Sequence, residues 1–260
     1  ENQNQQAVTN VVYDALGRVG ANYVPALESS ATSISRPSGW DTRSHAVSSY
    51  DWLGRVLEQV SPDGATASLS YLGRTAIAVD ANGHRDDSGT DVFGRTTSVI
   101  EGTSEPRTFE AETLNTTLSN TLIQNGARIS PAVSAGHTNL GYLTYGPYEA
   151  PQVAGPGQVV RFRLAIDVAT VDNSAVAVLD VWDSTASERL AQRTIYRQEF
   201  NGLQDGQSGL SNFRDFSLFF STEGRAGHAL EYRVYWLDYA RMAHDKTLVT
   251  WSGGHTTEYG

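Results

Sequence analysis

A seven-residue phrase occurs twice near the start of this chain. Tyr13-Asp14-Ala15-Leu16-Gly17-Arg18-Val19 returns as Tyr50-Asp51-Trp52-Leu53-Gly54-Arg55-Val56. Shorter forms follow at Tyr71-Leu72-Gly73-Arg74-Thr75 and Asp91-Val92-Phe93-Gly94-Arg95-Thr96. The glycines at 17, 54, 73 and 94 are 37, 19 and 21 residues apart, a unit of about 20 residues with one doubled interval. A unit that short holds one hairpin, which has no core of its own and must stack on its neighbours. Each unit reads strand, Asp-x-x-Gly turn, strand, then a second turn such as Pro62-Asp63-Gly64 or Asp80-Ala81-Asn82-Gly83. The glycine supplies positive φ, and the aspartate caps the turn's N–H groups. Residues 26–46 break the repeat and read as a long loop of the strip.

Beyond the repeat, apolar and polar residues alternate. Phe162, Leu164 and Ile166 alternate with Arg161, Arg163 and Ala165, and Leu230, Tyr232, Val234 and Trp236 with Glu231, Arg233 and Tyr235. Period two with β-branched and aromatic residues predicts half-buried strands, and helical periodicity is nearly absent. The expected class is all-β. Composition shifts near Gly102-Thr103-Ser104-Glu105-Pro106. Nine strands are expected after it, near 108–113, 126–130, 140–145, 158–169, 175–182, 189–195, 214–221, 229–237 and 244–251, which suits a jelly-roll sandwich. The division expected is 8–105 for the repeat region, 106–252 for the sandwich and 253–260 for the start of a further repeat. The sandwich then reads as an insertion whose two ends lie close together.

Several functions are disfavoured by composition. With 19 Lys+Arg against 29 Asp+Glu, the charge of −10 opposes nucleic acid or an anionic membrane as partner. No apolar run reaches the 18 residues of a membrane span, so no membrane insertion is expected. The absence of cysteine excludes disulfides and thiolate metal sites. The six histidines form no HExxH or HxH spacing, and there is no Gly-x-Ser-x-Gly elbow or Walker loop. Asp80, Asp86 and Asp87 have nothing to position them as a glycosidase pair. The start at Glu1-Asn2-Gln3, without Met or an apolar leader, reads as a cut from a longer polypeptide.

The Tyr-Asp-x-x-Gly-Arg phrase resembles the hallmark of the YD-repeat (Rhs) family over about residues 8–102. The resemblance implies a strip of a spiral β-sheet shell, part of a larger secreted or surface-exposed bacterial polypeptide that in some members encloses a toxin. The sandwich region resembles the jelly-roll, galactose-binding-like carbohydrate-binding modules of families six and thirty-five. That likeness rests on Glu110-Ala111-Glu112, the segment Gly141 to Tyr148, the strand Val159 to Val168, and Leu230 to Tyr235 followed by His244-Asp245-Lys246.

This second resemblance implies a structural Ca²⁺ held by Glu110, Glu112 and Asp245. The residues themselves are compatible with it: positions i and i+2 of a strand share a face, and paired carboxylates repel unless a cation lies between them. It also implies a non-catalytic site for a glycan or polysaccharide among loops at one end of the sandwich. Sugar binding needs an aromatic platform and a few planar polar groups. The expected contacts are Trp236, Asp238 and Tyr239 in the loop before the last strand, His137 and Asn139 beside it, and Tyr142. Tyr145, Tyr148, Trp182 and Phe200 are further candidates, although a sandwich aromatic is more often core. Two rivals stand beside this reading: a buttress without a ligand, and a jelly-roll polysaccharide lyase needing Tyr, His and Arg on one concave face.

Overall fold

The computed structural model describes residues 5–29, 43–102, 106–168, 174–200 and 209–259. The repeat region supplies β1 (Gln5–Val8), β2 (Val11–Tyr13), β3 (Val19–Tyr23), β4 (Ala26–Ser29), β5 (His45–Tyr50), β6 (Val56–Val60), β7 (Thr66–Leu72), β8 (Thr75–Val79), β9 (Arg85–Thr90) and β10 (Thr96–Gly102). The following region holds β11 (Arg107–Glu110), β12 (Leu122–Gln124), β13 (Ala127–Ile129), β14 (Gly141–Thr144), β15 (Pro147–Glu149) and β16 (Gln158–Ile166). It continues with β17 (Ala175–Asp183), β18 (Glu188–Tyr196), β19 (Arg214–Phe220), β20 (Leu230–Trp236) and β21 (Met242–Thr250), and β22 (Gly254–Glu258) closes the series. Two short 3₁₀ turns, Ala111–Thr113 and Arg197–Phe200, are the helical elements among the described residues. The fold is all-β, as the alternation predicts.

The repeats form a nine-stranded antiparallel meander, β2-β3-β5-β6-β7-β8-β9-β10-β22. Its Asp-x-x-Gly-Arg turns share one construction. Asp14 Oδ1 accepts the N–H groups of Leu16 and Arg18 at 2.8 and 2.9 Å, and its Oδ2 accepts Arg18 Nε at 2.7 Å. Asp51 and Asp91 repeat this with Leu53/Arg55 and Phe93/Arg95. Gly54, at φ +81°, closes its turn in a region that a Cβ disfavours.

Two of these arginines also reach the next unit. Arg18 lies 4.6 Å over the Tyr50 ring and Arg55 lies 4.0 Å over Tyr71. The two tyrosine hydroxyls donate to Val19 O and Val56 O at 2.9 and 3.0 Å. The phrase is thus a lateral clamp, which explains why tyrosine, aspartate and arginine recur together. One expectation is corrected here. Ala26–Ser29 is not loop but a strand paired with Gln5–Val8, because each edge needs a hydrogen-bonding partner. Residues 30–42 of the expected loop lie outside the described residues.

The second region is a sandwich of two antiparallel sheets. One runs β12-β13-β21-β16-β19 with β11 on β21, and the other runs β14-β20-β17-β18 with β15 on β20. Alternate residues of the long strands fill the space between them: Phe162, Leu164, Ile166, Phe216, Leu179, Val181, Tyr232, Val234 and Trp236. β22 returns to pair with β10, with Gly254 opposite Gly102. The sandwich therefore sits on a connection between neighbouring strands of the meander. Tyr259 N donates to Thr97 O at 2.8 Å, which puts Tyr259 beside the Arg95 turn, where Tyr50 and Tyr71 stand beside theirs.

The hairpin sheet packs on the outer face of the first sandwich sheet, giving three layers. Ile77 and Val79 meet Val159 and Phe219. Around them are charges that only pairing makes tolerable in a buried seam. Arg214 Nη2 reaches Glu58 Oε2 at 2.9 Å, Arg85 is bidentate to Asp87 at 2.7 Å twice, and Arg161 donates to Ala81 O and Val79 O at 3.1 and 3.3 Å. Gly157 permits the close approach, since a Cβ there would lie 2.6 Å from Ile77 Cδ1.

Candidate functional site

The second sandwich sheet turns its outer face away from the hairpin layer. Strand register sets out that face as a grid. Tyr142 stands opposite Tyr235, Tyr235 opposite Val178, and Val178 opposite Thr194. The next row is Arg233, Asp180 and Gln192, and Glu231 lies opposite Trp182 in the row beyond. The same alternation that sends Tyr232, Val234 and Trp236 into the core sends these residues outward.

The middle row is rigid. Arg233 makes two hydrogen bonds to Asp180, at 2.6 and 2.8 Å, and Arg189 adds a contact of 3.3 Å. The Arg233 guanidinium lies between two rings, 4.4 Å from the centroid of Trp182 and 5.0 Å from that of Tyr142. The aromatic surface continues from Tyr142 to Tyr235 at 5.0 Å, edge to face, to Tyr145 at 6.0 Å, and from there to Tyr148 at 6.5 Å. Burial pushes the Tyr142 and Tyr148 hydroxyls above their ordinary range, so both remain protonated donors.

Glu231 is 6% exposed, and its carboxylate makes no hydrogen bond among the described residues. Burial raises its pKa against the pull of Arg233. The face thus presents ring surfaces, two phenol hydroxyls, the Gln192 amide and a carboxylate with spare acceptor capacity.

The expected loop site is built differently. Asp238 is fully buried at φ +62° and serves as a clip. Its Oδ1 accepts Ser134 N at 3.0 Å, and its Oδ2 accepts Asn139 N at 3.0 Å and the Ser134 hydroxyl. Burial opposes its charge, yet these hydrogen bonds hold its pKa below the usual value. Its oxygens are occupied, so Asp238 is corrected from ligand contact to loop clip. Trp236 is corrected too: it is 0% exposed in the core, donating Nε1 to Ala240 O at 2.7 Å. His137 lies flat on Tyr239, centroids 4.2 Å apart, and donates Nδ1–H to Asp238 O at 2.6 Å. Tyr239 is 41% exposed and forms a small separate platform. Phe200 is core. Of the expected contacts Tyr142 joins the sheet face, with Tyr145, Tyr148 and Trp182 from the further candidates.

Arg233, Asp180 and Glu231 were missed as site residues. Their alternation with core residues was visible, but it does not distinguish a functional outer face from a solvated one.

The three expected calcium ligands do not gather. No cluster of three metal-holding side chains occurs among the described residues. Ala111–Thr113 is a 3₁₀ turn, so Glu110 and Glu112 do not follow each other on one strand face. Glu110 stands opposite Lys246, and Asp245 pairs with Arg163 at 3.4 Å. Glu112 Oε2 is buried without a partner, which suits a cation, but one carboxylate falls short of the shell Ca²⁺ requires.

The described architecture defines a class: a hairpin-repeat sheet capped by a β-sandwich with an aromatic outer face. No protein-family model matches the chain, and no curated protein does. Among solved structures it is similar to the C-terminal family-six carbohydrate-binding module of a laminarinase from Zobellia galactanivorans, at 11% identity and TM-score 0.34, covering 56% of this chain and all of that one. It is also similar to an exo-β-1,3-galactanase from Phanerochaete chrysosporium, at 13% identity and TM-score 0.42 over 96% of this chain. A third is a family-43 arabinoxylan arabinofuranohydrolase from Bacillus subtilis, at 11% identity and TM-score 0.32 over 89% of this chain. The match spans 63% of the galactanase chain and 51% of the arabinofuranohydrolase chain.

Proposed function

We propose that this chain binds a polysaccharide without cleaving it, through the outer face of the sheet β14-β20-β17-β18, and that the hairpin sheet is a YD-repeat scaffold within a larger secreted or surface polypeptide. The observation that carries the reading is the Trp182–Arg233–Tyr142 stack. The bidentate bond to Asp180 locks the guanidinium, so rings and polar groups are preorganised and little side-chain freedom is lost on binding. Pyranose C–H faces pack on such rings, while Glu231 and Gln192 meet hydroxyls. A shallow face of this kind gives dissociation constants of roughly mM to µM, about −4 to −8 kcal/mol. The lyase reading needs a histidine beside Tyr142 and Arg233, and among the described residues strand register puts none on that face.

Affinity electrophoresis in polysaccharide gels tests this. Trp182→Ala is expected to abolish retention and Tyr239→Ala to leave it within twofold. Retention of Trp182→Ala, or new reducing or unsaturated ends after incubation, would sink the reading. The buttress reading draws on the buried seam between sandwich and hairpin sheet. It predicts no retention on any polysaccharide.

A further inference from the structure

Between the hairpin sheet and the sandwich lies a cleft of about 380 Å³, on the opposite side of the sandwich from the aromatic face. Ser49, Glu58 and Ser70 line it from the hairpin sheet, and Arg193, Ser217 and Phe219 from the sandwich. We infer that this cleft binds a neutral polyhydroxylated ring, a sugar or cyclic polyol, and that the ligand ties the two layers together.

The Glu58 side chain is 8% exposed. Its Oε2 is taken by Arg214, but its Oε1 is buried without a hydrogen-bond partner. Across the cleft Arg193 Nη1 lies 3.9 Å from it, beyond hydrogen-bond reach and a gap that a hydroxyl can bridge. A buried carboxylate oxygen left in that state is costly, so the gap selects a donor.

The charges around it cancel in pairs. Glu58 is matched by Arg214, and Arg193 Nη2 by Glu199 at 2.7 Å. The cleft therefore has no net charge to attract an ion, which disfavours a phosphate or an amine. The Ser49 and Ser70 hydroxyls have no protein partner among the described residues and can donate or accept. Phe219, partly exposed beside Ile77 and Val79, supplies an apolar wall for C–H groups. A planar carboxylate, a guanidinium, several hydroxyls and one ring together match a polyol.

Because both layers supply contacts, ligand would stabilise the assembled chain by mass action. The test is isothermal calorimetry and thermal melting of the intact chain with three probes: glucose, myo-inositol, and a short β-glucan oligosaccharide. At least one probe is expected to bind and to raise the melting temperature by several degrees at 50 mM. Ser70→Leu, which fills the cleft from a half-buried position, should weaken that probe at least tenfold and remove the shift. Trp182→Ala, on the aromatic face, should leave it within twofold. Binding of myo-inositol identifies a free polyol, and binding only of the oligosaccharide identifies a chain end. No binding of any probe at 50 mM overturns the inference, as does unchanged affinity in both Ser70→Leu and Phe219→Ala. Loss of cleft binding leaves gel retention intact, so this inference and the aromatic-face reading fail separately.

Discussion

His244 shows how one buried side chain ties stability to pH. It is 0% exposed, between Thr144 Oγ1 at 2.9 Å from Nδ1 and Thr247 Oγ1 at 3.1 Å from Nε2. Burial brings its pKa down to about 3. The folded value lies below the unfolded one, so the unfolded chain takes up the proton first as pH falls. Stability conferred by the neutral ring is complete above the unfolded value near 6.5 and is lost below it, by about 1.4 kcal/mol per pH unit until the folded ring titrates. Urea midpoints between pH 7 and 4.5 should follow this slope, and His244→Gln should flatten it. A slope unchanged in that variant would assign the acid loss elsewhere. Asp14, Asp91 and Asp238, whose folded pKa values are lowered, add their own loss only as pH falls below about 4. The residue His244 was legible in the chain, but its protonation was not, because desolvation depends on strands brought together from residues 100 apart.

At the level of elements, local rules succeeded where the chain is locally determined. Asp-x-x-Gly turns need only their own backbone, so their geometry followed from five consecutive residues. The Glu-Ala-Glu segment failed for the converse reason. Period two places its carboxylates together only if the strand continues, and here β11 ends at Glu110 in a 3₁₀ turn. Arg128 then takes the freed carbonyls of Glu112 and Leu114, each at 2.9 Å, and that of Ala111 at 3.2 Å. A guanidinium supplies positive charge where a metal was expected. Chelation with EDTA is accordingly expected to leave the melting temperature within about 1 °C. A fall of several degrees would restore the metal, by the mass-action stabilisation a native-state ligand provides.

For the molecule as a whole, the seam between layers decides cooperativity. The side chains of Glu58 and Arg214 are each 8% exposed and bonded across it. Glu58→Ala leaves the guanidinium buried without its carboxylate, a change that costs about 3–5 kcal/mol. Glu58→Ala with Arg214→Met should recover most of that loss, since no unpaired charge remains. Calorimetry is expected to show one transition for the natural chain and a separate early melt of the hairpin sheet in Glu58→Ala. Equal melting of single and double variants would show that the pair does not couple the layers.

The repeat phrase, the alternation and the turn residues were enough to establish strands, hairpins and an all-β chain, because each acts over a few residues of backbone. They also singled out Tyr142, Tyr145, Tyr148 and Trp182 as aromatics of interest. Which faces of the sandwich are covered, which aromatics become core, and which acids find arginines depend on packing between distant segments. Trp236 and Tyr235 are neighbours in the chain, and strand alternation sends one into the core and the other outward; the outward face stays open because the hairpin layer covers the other sandwich sheet.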